Sequence, residues 1–221
     1  MENVTRIPGS LVDDDDYLDN RQSLGTRIFR SWRDMRQATR DLIDEKPNEH
    51  RLIFFVLLSD IVFFLSWSLK TVVSPVSGFQ NHMPLQIGAI LIGALLLRTA
   101  AMYVFSLVMT LGARAAGGQG TWRDTRTGIF WAALVAAPFG LIMALVTIAM
   151  SWAEPTIPIL GSEYVALIPQ LLGLLPFLWF VGLGLAEAQG FRSHWGGFLV
   201  LLLLAIVAMV GVAVMWMNGI F

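Results

Sequence analysis

The chain has 221 residues, a net charge of −1, 56% hydrophobic residues, 14% charged residues and no cysteine. Globular domains carry about 25% charged residues, so a soluble domain of this length would have too few charges for its surface. The composition therefore excludes a soluble single-domain enzyme and a secreted disulfide scaffold. Without cysteine there is no thiolate nucleophile, zinc ribbon or iron–sulfur cluster, and a net charge near zero predicts no attraction for nucleic acid.

Residues 1–23 form an acidic segment that we expect to be disordered. It contains four consecutive aspartates, Asp13 to Asp16, and too few apolar residues to pack against a core. No apolar stretch follows a basic start, so the segment is not a signal peptide. The alternative is a recognition motif for a partner.

Residues 24–46 are predicted to form a basic amphipathic helix. Apolar residues recur at three- and four-residue steps from Leu24 to Ile43, with arginines mostly on the other side. Such a helix lies in the headgroup layer, held by buried apolar area and by anionic lipid; the groove of a partner protein is the alternative. Pro47 breaks the helix. The residues expected at this interface are Arg27, Arg30, Trp32, Arg33, Arg36 and Arg40.

Residues 51–217 predict an all-α, polytopic membrane domain with five transmembrane helices. Stretches of 27, 23 and 27 residues contain no charge, at 127–153, 164–186 and 195–221. Runs of 18 or more apolar residues indicate helices that cross a membrane. The five spans are predicted at residues 52–73, 85–111, 128–152, 164–186 and 195–217.

The basic residues outside the spans predict the orientation. Nine of them precede the first span, and the third loop has none. The second and fourth loops carry Arg114, Arg123, Arg126 and Arg192. With five spans, these segments all fall on one side, which the positive-inside rule makes cytoplasmic. We therefore expect a cytoplasmic N-terminus and a C-terminus on the opposite side.

Two ionisable residues lie inside the predicted spans. Asp60 is in the first span and Arg98 is near the centre of the second, where a charge costs a few kcal/mol unless it is paired or hydrated. The two helices are consecutive and antiparallel, so the long arginine can reach Asp60. We expect a structural pair that sets helix register; a hydrated site for an ion, a proton or a lipid headgroup is the alternative.

The third span carries small residues at four-residue steps, a pattern that lets helix backbones approach closely. We expect close packing there, within the chain or between copies, at Ala132, Ala136, Gly140 and Ala144. The three histidines lie in separate polar segments, so no metal site is predicted, and no cofactor either. The spans contain no Ser/His or paired-Asp arrangement that would predict catalysis.

Two short motifs lie at predicted cytoplasmic helix ends. A glycine-rich loop leads into the third span, and it has neither the spacing nor the Lys-Ser/Thr ending of a phosphate-binding loop, so it is predicted to be a turn. Its residues are Gly117, Gly118, Gly120 and Trp122. The fourth span ends in an acidic, then Gly-Phe, sequence that contains Glu187, Gly190 and Phe191.

In their order and spacing, the five spans and these two motifs resemble the Yip1-domain membrane proteins, and among them the bacterial branch, over residues 52–214. The resemblance implies an integral membrane protein without established catalytic residues. Eukaryotic relatives are linked to vesicle traffic and Rab GTPases. They carry an Asp-Leu-Tyr-Gly-Pro stretch that this sequence lacks, so Rab binding is not carried over.

We therefore predict a non-enzymatic protein of the bacterial inner membrane that acts in membrane organisation or trafficking-like homeostasis. The expected partners are anionic lipid headgroups at the N-terminal helix and other membrane proteins or a second copy of the chain. One alternative is an accessory subunit of a larger membrane complex. Another is a small transporter or channel that uses Asp60 and Arg98.

Overall fold

The computed structural model describes residues 23–73, 83–193 and 195–217. Within these ranges 86% of the residues are helical and there is no strand. The predicted acidic tail, apart from Ser23, and residues 74–82 of the loop between the first two predicted spans lie outside the described residues.

Seven α-helices and one 3₁₀ helix make up the described part of the chain. In order they are α1 Leu24–Arg33, α2 Met35–Asp44, α3 Glu49–Val73, α4 Met83–Ala115, α5 Trp122–Ala153, the 3₁₀ helix Pro158–Gly161, α6 Glu163–Ala188 and α7 Trp195–Met217.

Four helices of the described chain are long and apolar enough to cross a membrane. The candidate spans are Glu49–Leu69, Ile92–Ala115, Trp122–Ala153 and Leu167–Ala188. They coincide with the first four predicted spans. Helix α7, with 23 residues, covers the fifth predicted span, and that fifth crossing stays a prediction.

Helix α5 is the centre of the bundle. It packs against α3, α4 and α6 and also against both N-terminal helices, and its residues 127–136 are all buried. Phe55 of α3 and Val181 of α6 are buried in the same core. Helix α4, in contrast, exposes large apolar side chains such as Leu96 and Leu97, as expected of a helix that faces lipid.

Helix α5 begins six residues before the span predicted at 128–152. Thr121 and Asp124 form a capping box: the Asp124 N–H donates to Thr121 Oγ1 at 3.2 Å, and the Thr121 N–H donates to Asp124 Oδ2 at 3.1 Å. The helix has 32 residues and is about 48 Å long. It exceeds a bilayer core of about 30 Å, so part of it lies outside the hydrocarbon.

The basic N-terminal segment forms two helices, so the prediction of a single helix over residues 24–46 is wrong. Asp34 leaves helical geometry, with φ −142° and ψ 82°, and its carboxylate accepts from the Gln37 N–H at 3.0 Å. Aspartate is a strong N-cap and a weak residue inside helices, so the chain breaks there. The periodic pattern still places Met35 and Leu42 on one buried face.

Candidate functional site

The arm, which we define as helices α1 and α2, packs its apolar face on the bundle. Trp32 Nε1 donates to the Val135 carbonyl at 2.9 Å, and Trp131 Nε1 donates to Ser31 Oγ at 3.1 Å. Most of the arm's apolar stripe therefore packs against the bundle, and the expected contact of the arm with lipid headgroups stays a prediction.

One carboxylate at the end of α6 binds two arm arginines. Arg36 Nε and Arg40 Nη2 lie 2.8 and 2.6 Å from the Glu187 carboxylate, whose side chain is only 9% exposed. Arg36 also donates to the Phe191 carbonyl at 3.0 Å and to the Arg192 carbonyl at 3.2 Å. Glu187, the acidic residue of the predicted motif at the end of α6, therefore holds the arm against the bundle.

Two further arm arginines form ion pairs within residues 24–45. Arg27 and Glu45 are 2.7 Å apart, and Arg30 and Asp41 are 3.3 Å apart. Arg33 is exposed. Because three carboxylates pair with four of the five arm arginines, the arm offers anionic lipid less free charge than its sequence suggests.

Removing the charge of Glu187 is expected to loosen the arm. For Glu187→Gln we expect amide exchange in residues 24–44 to accelerate on the order of tenfold, because charge-assisted hydrogen bonds are lost. Arg30→Gln, which breaks an exposed pair, is the matched control and should change exchange little. Equal exchange in both variants would show that Glu187 does not hold the arm.

Glu45 couples the arm to α3 through charge. Its carboxylate lies 2.7 Å from Arg27 and 2.7 Å from Arg51. Partial burial acts to raise the pKa of Glu45, but the hydrogen bond and charge of Arg27, together with Arg51, outweigh it and hold the pKa below its ordinary 4.5. A lowered pKa contributes stability above the ordinary value, and that contribution is lost as the pH falls through the folded value.

We therefore expect the arm to loosen at acid pH. Amide exchange in α1 and α2, corrected for the intrinsic rate, should accelerate as the pH falls from 6 to below the ordinary 4.5 of this carboxyl group. The Glu45→Gln variant should exchange faster at pH 6 and show a smaller acceleration. An identical acceleration in both proteins would assign the pH dependence to other carboxylates.

Each predicted cytoplasmic motif contains a helix cap that requires glycine. Gly117 and Gly190 have φ of +89° and +73°, a region that disfavours side chains with a Cβ. Each helix closes in a Schellman motif: the Gly118 N–H donates to the Ala113 carbonyl, and the Phe191 N–H donates to the Ala186 carbonyl, both at 2.8 Å.

The two motifs contact each other, and Gln189 is the link between them. This side chain is 1% exposed; its Nε2 donates to Thr125 Oγ1 at 2.6 Å, and its Oε1 accepts from the Gly120 N–H at 3.2 Å. A Cβ on Gly120 would lie 1.9 Å from the Ala188 carbonyl oxygen, and one on Gly118 would lie 2.5 Å from Gln189 Oε1. The glycines therefore permit close packing, and Gln189 was not predicted as a site residue.

Trp122 and Phe191, the aromatic residues of the two motifs, differ in exposure. Trp122 is 41% exposed, and the Arg126 guanidinium lies 4.4 Å from its ring centroid. Phe191 is partly buried against the core. Only Trp122 is therefore available for a contact outside the chain.

The structure brings Asp60 and Arg98 together between α3 and α4. Asp60 is 2% exposed; its Oδ1 accepts from Arg98 Nη1, and its Oδ2 accepts from Thr99 Oγ1 at 3.1 Å. Arg98 Nη1 also donates to Ser59 Oγ at 3.3 Å, and the guanidinium lies 4.9 Å from the Phe63 ring centroid. Thr99 is the partner that the sequence analysis missed, because its hydroxyl carries no signal of its own.

A cavity of about 570 Å³ lies beside Arg98, among α3, α4, α5 and α6. Its walls are mostly apolar, with hydroxyl groups from Ser59, Ser66 and Thr147. Three of the four predicted ladder residues, Ala136, Gly140 and Ala144, also line it.

The small-residue ladder does not mark the closest helix contact. A Cβ on Gly140 would have nothing within 4 Å, although Ala132, Ala136 and Ala144 are buried. Among the described helical glycines, the tightest approach lies at Gly128 and Gly184, where a Cβ on either would sit 2.6 Å from the carbonyl oxygen of the other. The two glycines are far apart in sequence, so no spacing pattern could pair them.

Among residues 23–73, 83–193 and 195–217 there is no group of three or more His, Asp or Glu that could hold a metal ion. Long apolar helices around a buried ion pair define an α-helical polytopic membrane protein. The family model of the Yip1 domain matches residues 29–215, so the chain belongs to the Yip1 domain family, a family of non-enzymatic membrane proteins. No curated protein and no solved structure matches the chain.

Proposed function

We propose that the chain is a five-span protein of the bacterial inner membrane that works without catalysis in membrane organisation, through protein or lipid partners that bind the arm. The N-terminus is proposed to be cytoplasmic. The observation that carries the proposal is the arm itself: its apolar face is held on the bundle, while Phe29 is 62% exposed on the outer face. Arg33 is exposed as well.

The outer surface of the arm combines aromatic and basic side chains. Phe29 is an exposed aromatic residue, a type enriched at membrane–water boundaries, where basic residues such as the exposed Arg33 favour the cytoplasmic side. Arg123 Nη2 donates to the carbonyls of Lys46 and Pro47, both at 3.0 Å, which fixes the start of α5 to the residues that follow the arm. A surface held in this way loses little entropy when a partner binds.

The test is affinity purification of the full chain in mild detergent, with mass spectrometry of the proteins and lipids that accompany it. We expect the double variant Phe29→Ser, Arg33→Glu to lose a partner that the unchanged chain retains. Arg114→Glu, at an exposed arginine of α4, is the matched charge control and should retain it. Equal recovery from the double variant, or no accompanying partner at all, contradicts the proposal.

Two other functions predict different results. A permanent stoichiometric complex that survives the arm substitutions would assign the chain as an accessory subunit. The cavity beside Arg98 favours the second candidate, a transporter or channel. In that case liposomes containing the protein would show a flux that disappears in the Asp60→Asn variant.

A further inference from the structure

We propose that the cavity beside Arg98 binds one membrane lipid whose head carries neutral oxygen groups, such as a glycerol ester, with an acyl chain along the apolar walls. The inference goes beyond the proposed function, which concerns the outer surface of the arm. Its basis is the hydrogen-bonding and charge balance of the side chains that line the cavity.

Some N–H donors of the Arg98 guanidinium have no hydrogen-bond partner in the described part of the chain. Its Nη1 contacts Asp60 and Ser59, whereas Nη2 and Nε have no hydrogen-bond partner in the described part of the chain. A guanidinium carries five N–H donors and no acceptor, and Arg98 lines the cavity. A ligand that completes this site must present acceptor oxygens.

The charge balance of the cavity favours a lipid with an uncharged head group. Asp60 already compensates the Arg98 charge, so an anionic ligand would leave one uncompensated negative charge inside the membrane. Such a charge costs at least a few kcal/mol at this depth. Ester carbonyls, by contrast, accept from the remaining Arg98 donors without adding charge.

The hydroxyl groups that line the cavity can also bind an uncharged lipid head group. Ser66 Oγ donates to the Val62 carbonyl at 2.8 Å, and Thr147 Oγ1 donates to the Met143 carbonyl at 2.9 Å. Because both hydroxyls use their proton on the backbone, their oxygens remain as acceptors. A glycerol ester offers both kinds of group, since its carbonyls accept and its free hydroxyl donates.

The size and lining of the cavity fit an amphiphile taken from the membrane. Its volume of about 570 Å³ is within the range of small-molecule pockets, roughly 300–1,000 Å³. Phe63, Leu174 and Phe177 supply apolar wall.

The test is native mass spectrometry of the purified full chain titrated with monoolein or with oleate, which carry the same acyl chain. We expect one saturable monoolein adduct that binds at least tenfold more tightly than oleate. Oleate that binds as tightly as monoolein would overturn the neutral-head assignment. Non-saturating adducts of monoolein would overturn the site.

A cavity-filling variant keeps the test independent of the ion pair. Gly140 lines the cavity, and a Cβ there meets nothing within 4 Å, so Gly140→Leu should fill the cavity without disturbing Asp60 and Arg98. We expect it to weaken monoolein binding at least tenfold. Gly93→Leu, at an exposed glycine of α4 with open space around it, is the matched control and should bind normally. Unchanged binding by Gly140→Leu would overturn the proposal.

Discussion

Replacing Asp60 by asparagine is expected to lower the free energy of unfolding by about 3–5 kcal/mol, because it leaves the Arg98 charge unpaired inside the bundle. Asp60 is 2% exposed and receives hydrogen bonds from Arg98 and Thr99. Arg98→Leu should be destabilising for the complementary reason, since it leaves a buried carboxylate with only hydroxyl donors near it. The measurement is unfolding in mixed micelles with increasing SDS, followed by far-UV circular dichroism.

The double variant separates pairing from general damage. If the two residues act as a pair, Asp60→Asn combined with Arg98→Leu should recover part of the loss, with a coupling energy of about 1–3 kcal/mol. Thr99→Val, which removes a neutral hydrogen bond to the same carboxylate, is the control and should cost only about 1 kcal/mol. Additive losses in the double variant would show that the ion pair contributes nothing beyond its separate residues.

Replacing Gly128 by valine is expected to destabilise the bundle by about 3 kcal/mol or more. A Cβ at this position would lie 2.6 Å from the Gly184 carbonyl oxygen, and that obstacle is backbone within a helix, so α5 and α6 must move apart. Their separation would also weaken the contacts around the buried Trp131 and Val181. The same SDS titration measures the loss.

Gly112→Val is the matched control for the helix crossing. Gly112 lies in α4, is exposed, and has nothing within 4 Å of an added Cβ, so the substitution should change stability by less than about 1 kcal/mol. Gly128→Ala should fall between the two valine variants. A Gly128→Val protein as stable as Gly112→Val would contradict the close approach of α5 and α6.

Much of the fold could be predicted from the sequence because the bilayer restricts the structures that a chain can adopt inside it. A charge-free run of about 20 residues has few options in hydrocarbon other than a helix, since each backbone group must be satisfied within its own segment. The first four predicted spans accordingly coincide with candidate spans of the structure. The Yip1 resemblance, which depended on the order of spans and motifs, is confirmed by the family match over residues 29–215.

The arm shows where the pattern was insufficient. The spacing of Met35 and Leu42 correctly predicts one apolar face, but a hydrophobic stripe does not state whether protein or lipid covers it. Asp34 also interrupts the helix, since its side chain caps α2. An aspartate that can cap a helix is visible in the sequence at this position, but the longer periodic pattern favoured one continuous helix.

By itself, the sequence determined the helical class, the positions of the apolar segments and the presence of two charges inside them, because each depends on residues near one another in the chain. Only the tertiary structure decided that Glu187 holds the arm, that Gln189 joins the two motifs, and that Gly128 and Gly184 bring α5 and α6 into close contact. These contacts join residues far apart in the chain. The geometry of the packed helices creates these contacts, and no periodicity along the chain predicts them.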